Sequence, residues 1–241
     1  MIFIVLGLGV VFFGLGYVIT EANASMLLSG YNTMNSEDQK SFPLKAYLRD
    51  FKLFHQWFGI GFTVLSLLMY FVHEDWLGYH LGITPIVAYL YFFWQTRNYS
   101  LNQSKNTRNQ FWIGLAVLLF TLVFVVGMLF WSERENTIVW TDRSITIQGP
   151  YGLDIPFDQI HSLELLDELP EINSRLHGYS TGSVVKGKFK GPMNVRYHLL
   201  LDKPYERVLK ITVSNDIPVL IALEGVDEET LELELRTRLE D

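Results

Sequence analysis

Three lysines at alternate positions, Lys186, Lys188 and Lys190, have the spacing most suggestive of chemistry in this chain. On an extended strand the side-chain period is two, so the three ammonium groups would share one face. Such a row offers a site to an anionic headgroup or a cell-wall polymer. The same row also serves as an edge strand kept soluble by lysines. Arg175, His177 and Tyr179 precede it within the irregular, glycine-rich stretch Pro170–Gly191 and are candidates for the same site, since long irregular loops are often functional. A second constellation, His73, Glu74 and His80, carries metal-ligand types, but its members straddle a short turn and no third histidine is near. It reads as a solvated loop plus an interfacial histidine, and no metal is expected. His161, His177 and His198 are scattered, and each reads as a structural or surface residue. There is no glycine-rich phosphate loop, no nucleophile elbow and no His-Glu-x-x-His. The chain is therefore expected not to be an enzyme and to need no cofactor. A membrane-bound enzyme using His73 and Glu74 is the version that mutation of those residues would test.

The elements that must position these residues follow from how charge and hydrophobicity are distributed. The chain has 241 residues, 49% of them hydrophobic, and these concentrate before residue 132. Residues 133–241 hold 12 Lys and Arg against 20 Asp and Glu, a net −8, while the whole chain carries −7. Phosphate affinity needs clustered Lys and Arg, so nucleic acid is excluded as a general partner. Cysteine is absent, which removes disulfides, thiolate catalysis and Cys-based metal sites.

Four uncharged apolar segments point to a bilayer as partner: 2–20, 53–72, 76–96 and 111–131. The last is flanked by Trp112 and Trp131, which suit the membrane interface. The first competes with a secretory signal peptide, since Ala22-Asn23-Ala24 offers a cleavage pattern. No basic residue precedes it and it exceeds the usual length, so a retained helix is expected. Gly7/Gly14 and Gly9/Gly16 repeat at seven residues, a spacing that lets helices pack closely, and self-association of the chain stays open. The third segment contains Pro85 and His80. Lys and Arg fall in the loops 20–53 and 97–110 and not in 73–75, so those two loops are placed in the cytoplasm. The N-terminus and the C-terminal region then lie outside, in the plasma or inner membrane of the cell. A re-entrant third segment would flip the C-terminal region inward.

Between the first two segments stands Gly30-Tyr31-Asn32-Thr33-Met34 after Ser29, followed by Asn35-Ser36-Glu37-Asp38-Gln39. Ser36 and Gln39 have capping-box spacing. Tyr31 and Asn32 read as an interfacial turn, or as a docking site for a headgroup or partner. This segment resembles the signature of a widespread bacterial membrane family of unknown function. Its members carry Ala/Ser-Gly-Tyr-Asn-Thr-Met after the first membrane helix. The resemblance covers about residues 1–72 and implies a multi-helix membrane fold, with no activity attached.

After residue 132 short strands alternate with turns: 137–141, 144–148, 151–155, 162–166, 194–201, 208–213 and 217–223. Period-two alternation between turn signals predicts an antiparallel sheet. Asn215-Asp216 is expected to make the last turn. A helix ends the chain, with Asp227, Glu228 and Glu229 opening it, Arg236 and Arg238 closing it and a Leu231, Leu235, Leu239 stripe. Tyr151–Ile160, Leu169-Pro170, Arg175-Leu176-His177-Gly178 and Gly187-Lys188-Phe189 resemble bacterial pleckstrin-homology-like (PH-like) domains. That resemblance implies a mostly-β barrel closed by one α-helix. The first hairpin loop, Thr141-Asp142-Arg143, lacks the net basic charge of inositol-lipid binders, which argues against that ligand. The reading is a helical transmembrane region, 1–132, joined to a PH-like domain, 133–241. The domain would bind a protein, peptide or anionic envelope component. The alternative is a small-molecule transporter or channel subunit regulated by that domain.

Overall fold

The computed structural model describes residues 2–72, 74–181, 184–214 and 217–240, and of Glu74 and Asp75 it describes only the backbone. The metal-ligand expectation at His73 and Glu74 and the Asn215-Asp216 turn therefore lie outside the described side chains. The chain divides into two compact units, Met1–Gly127 and Met128–Asp241.

The first unit is helical: α1 (Ile2–Val18), α2 (Ala24–Leu27), α3 (Ser36–Ser41), α4 (Leu44–Val72), α5 (Glu74–Gln95) and α6 (Arg97–Leu101), together with most of α7 (Lys105–Glu133). Two of these helices, α4 and α7, are long and apolar enough to cross a membrane. α1 is apolar but shorter, and α5 runs 22 residues through Pro85 without a break. The glycine repeat resolves into two behaviours. Gly9 and Gly16 are buried against α4, where side-chain carbon would meet Thr63 and His55; Gly7 and Gly14 face open space. Gly59 on α4 completes the approach, because a Cβ there would lie 2.6 Å from the Phe13 backbone nitrogen. Small residues on both helices thus let the two backbones come close.

The second unit is mostly β. Its strands form two sheets, β1–β2–β3 and β4–β8–β9–β7–β6–β5 in spatial order, and hydrogen bonding does not join them into one closed barrel. The strands are β1 (Thr137–Trp140), β2 (Ser144–Gln148), β3 (Leu153–Pro156), β4 (Ile160–Leu166), β5 (Ser174–Thr181), β6 (Val184–Lys190), β7 (Arg196–Leu201), β8 (Val208–Val213) and β9 (Val219–Ala222). Two results differ from the expected antiparallel sheet. β9 inserts between β8 and β7 and pairs parallel with β7. The stretch 170–191, expected to be irregular, holds the hairpin β5–β6. Glycine hid it: Gly178 opposes Gly187, both with positive φ, and a Cβ on Gly187 would lie 2.6 Å from the Gly178 Cα. Glycine pairs contribute no alternation to read.

The large sheet is buried on both faces at its centre. One face, with Leu200, Leu209, Ile211 and Ile221, packs on Ile145, Ile147 and Ile155 of the small sheet and on α8 (Glu228–Glu240). The other, with Phe189, Leu199, Leu201 and Leu220, is covered by Leu169, Ile172 and Tyr205. Of the leucine stripe on α8, Leu231 and Leu235 are buried and Leu239 is 38% exposed. Asp227 caps this helix, accepting from the Thr230 backbone N–H at 2.9 Å and its hydroxyl at 2.6 Å. These donors hold the Asp227 carboxyl below its usual range.

Candidate functional site

The register of β5, β6 and β7 decides which of the expected residues meet. On β6, Lys186 lies opposite Leu200, Lys188 opposite His198, and Lys190 opposite Arg196. The alternation holds: Leu200 belongs to one core face and its neighbours Leu199 and Leu201 to the other, so the lysines share the Leu200 face. They do not share its environment. Lys186 is completely buried, whereas Lys188 is exposed and Lys190 half-buried. The expectation of one lysine row open to a ligand therefore fails at Lys186.

Lys186 has an internal task. Its ammonium pairs with Asp202 at 2.5 Å and donates to the Arg134 carbonyl at 2.6 Å. Asp202 in turn accepts from the Asn136 backbone N–H at 2.6 Å. A buried charge needs such a partner set. Tyr179, on the same face across β5, is also buried and donates to the Glu133 carboxylate at 2.7 Å. Burial first, and the Glu133 charge besides, push its phenol up to about 12. Lys186 and Tyr179 thus fix the chain from Glu133 to Asn136 onto the sheet, and both are buried there.

What remains open on this face is a cross-strand block. His177 pairs with Lys188, which pairs with His198; Ser174 pairs with Lys190, which pairs with Arg196. His177, Lys188 and Arg196 are exposed. Among the described residues, no ion pair engages Lys188, Lys190 or Arg196, while five other cations of the unit are paired. Arg175 does not join the block: a bulge between Arg175 and His177 sets it opposite Phe189, whose side chain enters the other core face. Tyr151, with φ 58°, borders the block: its carbonyl lies 2.8 Å from His198 Nε2 and its ring centroid 5.6 Å from that of His177. Sequence spacing alone could not supply Arg196 or His198, because only the β6–β7 register brings them in.

The turn at Gly30–Met34 is a second, separate feature, in the helical unit. Gly30 has φ 90°, a conformation that suits glycine. Thr33 Oγ1 lies 3.1 Å from the Gly30 carbonyl, and Gln39 donates to the Tyr31 carbonyl at 2.9 Å. Asn35, one residue before the expected Ser36, caps α3 by accepting from the Asp38 N–H at 2.8 Å. Asp38 is buried and ties α3 to the start of α7. It accepts from the Ser104 N–H at 3.1 Å, from the Ser104 hydroxyl and from the Thr107 hydroxyl at 2.6 Å. The Ser104 and Thr107 donors hold its carboxyl below the usual range. Asn32 is exposed, while Tyr31 is half-buried.

Residues 6–100 match the model of a family described as a domain of unknown function (DUF3784). That match runs from within α1 into α6, includes the Gly30–Met34 turn and stops before α7. No curated protein matches the chain, and no solved structure does.

Proposed function

We propose that this is a four-span membrane protein whose second unit is a PH-like interaction module, presenting the Lys188–Lys190–Arg196 face to phosphate groups outside the cytoplasm. The carrying observation is three cations set side by side on β6 and β7 and without an ion pair among the described residues, in a region of net −8. Cations left unpaired among so many carboxylates are ready for an anionic partner. Support for four spans comes from α1, packed along α4 through glycines, and from the unbroken α5. At roughly 1.5 Å per residue its 22 residues reach about 33 Å. Lys45, Arg49, Lys52, Arg97, Lys105 and Arg108 then mark the cytoplasmic ends. Support for the PH-like reading is the run of strands over two sheets closed by one C-terminal helix.

The shared chemistry is a phosphodiester, borne by a lipid headgroup or by an envelope polymer. The full chain in phosphatidylcholine nanodiscs would be titrated with poly(glycerol phosphate) and, separately, with phosphatidylglycerol vesicles. Binding of either probe is expected to weaken between about 50 mM and about 200 mM salt. It is expected to fall at least about tenfold in the Lys188→Glu/Lys190→Glu variant, where two attractions become repulsions. The probe that binds names the source. Binding unchanged by the double reversal, or no binding of either probe, overturns the proposal.

A further inference from the structure

The helical unit contains a cavity of about 370 Å³ that the reading above does not use. Ligand sites commonly start at about 300 Å³. Its wall is the Gly30–Met34 turn on one side and α6 with the first turns of α7 on the other. Phe42, Phe93, Phe111 and Met34 supply apolar surface, and the Phe93 and Phe111 rings stack at 5.7 Å. The polar groups are neutral: among the described residues no Asp, Glu, Lys or Arg lines it.

Those polar groups are held in place but not used up. Thr33 Oγ1 lies 3.0 Å from Gln110 Oε1, and the NH₂ of that amide has no partner among the described residues. The Tyr31 and Tyr47 rings are fixed by Phe42, at 5.4 Å and 5.5 Å, yet their hydroxyls have no partner among the described residues. Behind the wall, Thr107 donates to the Asp38 carboxylate. That charge repels an anionic head, and no lining cation among the described residues offsets it.

We propose that this cavity binds an uncharged lipid through carbonyl or hydroxyl oxygens of its head, with Gln110 and Tyr31 as the recognising groups. The aromatic wall takes the first part of the lipid chain. Two sources share this chemistry, a diacylglycerol and a prenyl quinone.

The test uses the full chain in phosphatidylcholine nanodiscs with three photoactivatable probes: a diacylglycerol, a prenyl quinone and, as the charged control, phosphatidylglycerol. Peptide mapping is expected to place one neutral probe on the segments 28–47 and 93–114. Labelling should fall at least fivefold when the unlabelled neutral lipid competes. It should fall as far in Gln110→Leu, and partly in Tyr31→Phe, which keeps the ring. Whichever neutral probe labels identifies the source. Equal labelling by phosphatidylglycerol, label confined to outward residues such as Phe120 and Phe124, or no effect of either substitution overturns the proposal. Thermal unfolding of each variant separates loss of the site from loss of the fold.

Discussion

Lys186→Met should cost the β unit more than any surface charge could. The ammonium is fully buried and Asp202 is 2% exposed, so removing the lysine strands a carboxylate that keeps, among the described residues, only the Asn136 N–H as donor. Breaking a buried ion pair by removing one partner costs about 3–5 kcal/mol. The Arg134 carbonyl also loses its donor, although a carbonyl left unsatisfied is the smaller part of the loss. Against a typical margin of about 5–15 kcal/mol, this is a large fraction. A unit of roughly a hundred residues shifts by about 4 °C or more per kcal/mol, so a fall of at least about 12 °C is expected. The double variant Lys186→Met/Asp202→Leu removes both charges and should recover part of the loss. It should still leave about 1–3 kcal/mol for the unpaired Asn136 N–H. Fluorescence-detected unfolding suits the assay, because Trp131 and Trp140 both lie in this unit. A shift below about 3 °C for the single variant, or a double variant no better than the single, would refute the argument that this pair holds the unit together.

Other outcomes follow from the helical unit. The depressed Asp38 carboxyl contributes stability that is complete above the ordinary carboxylate range and is lost as pH falls through its folded value. Acid below about pH 4 should therefore loosen the α3–α7 contact first. Asp38→Asn should reproduce this at neutral pH, with amide exchange at Ser104 about tenfold faster and exchange in mid-α4 unchanged. Gly59→Leu, whose Cβ lands on the Phe13 backbone, should lower the unfolding midpoint by overpacking worth about 1–3 kcal/mol or more, while Gly14→Leu, facing open space, should leave it nearly unchanged. Equal effects at the two glycines would contradict the close α1–α4 approach.

How far the sequence could be read depended on what each signal rests on. Hydrophobic length marked α4 and α7, although both run past their apolar stretches, since their charged first turns are as helical as the rest. The seven-residue glycine repeat predicted packing but could not tell Gly9 from Gly7, because that needs the position of α4. Alternation found β2 and β8 to the residue and missed β5, whose exposed Arg175–His177 and paired glycines carry no pattern. At the candidate face the period of two was right and the inference of exposure was wrong for Lys186. Burial depends on what covers a strand, and that cover comes from the segment after α7. Arg196 enters through register, a property of two strands together.

The central claim is that the cationic face meets its partner outside the cytoplasm, and sidedness tests it most directly. The chain has no cysteine, and Leu233 is 64% exposed on α8, which packs on β4 and β8, across the sheet from β6, so Leu233→Cys is a single clean reporter. Intact cells would be treated with a membrane-impermeant maleimide, with Lys105→Cys as the opposite-side control and lysed cells as the reference. The account predicts labelling of Leu233→Cys in intact cells and of Lys105→Cys only after lysis. Protection of Leu233→Cys until lysis would contradict it, placing the Lys188–Lys190–Arg196 face in the cytoplasm.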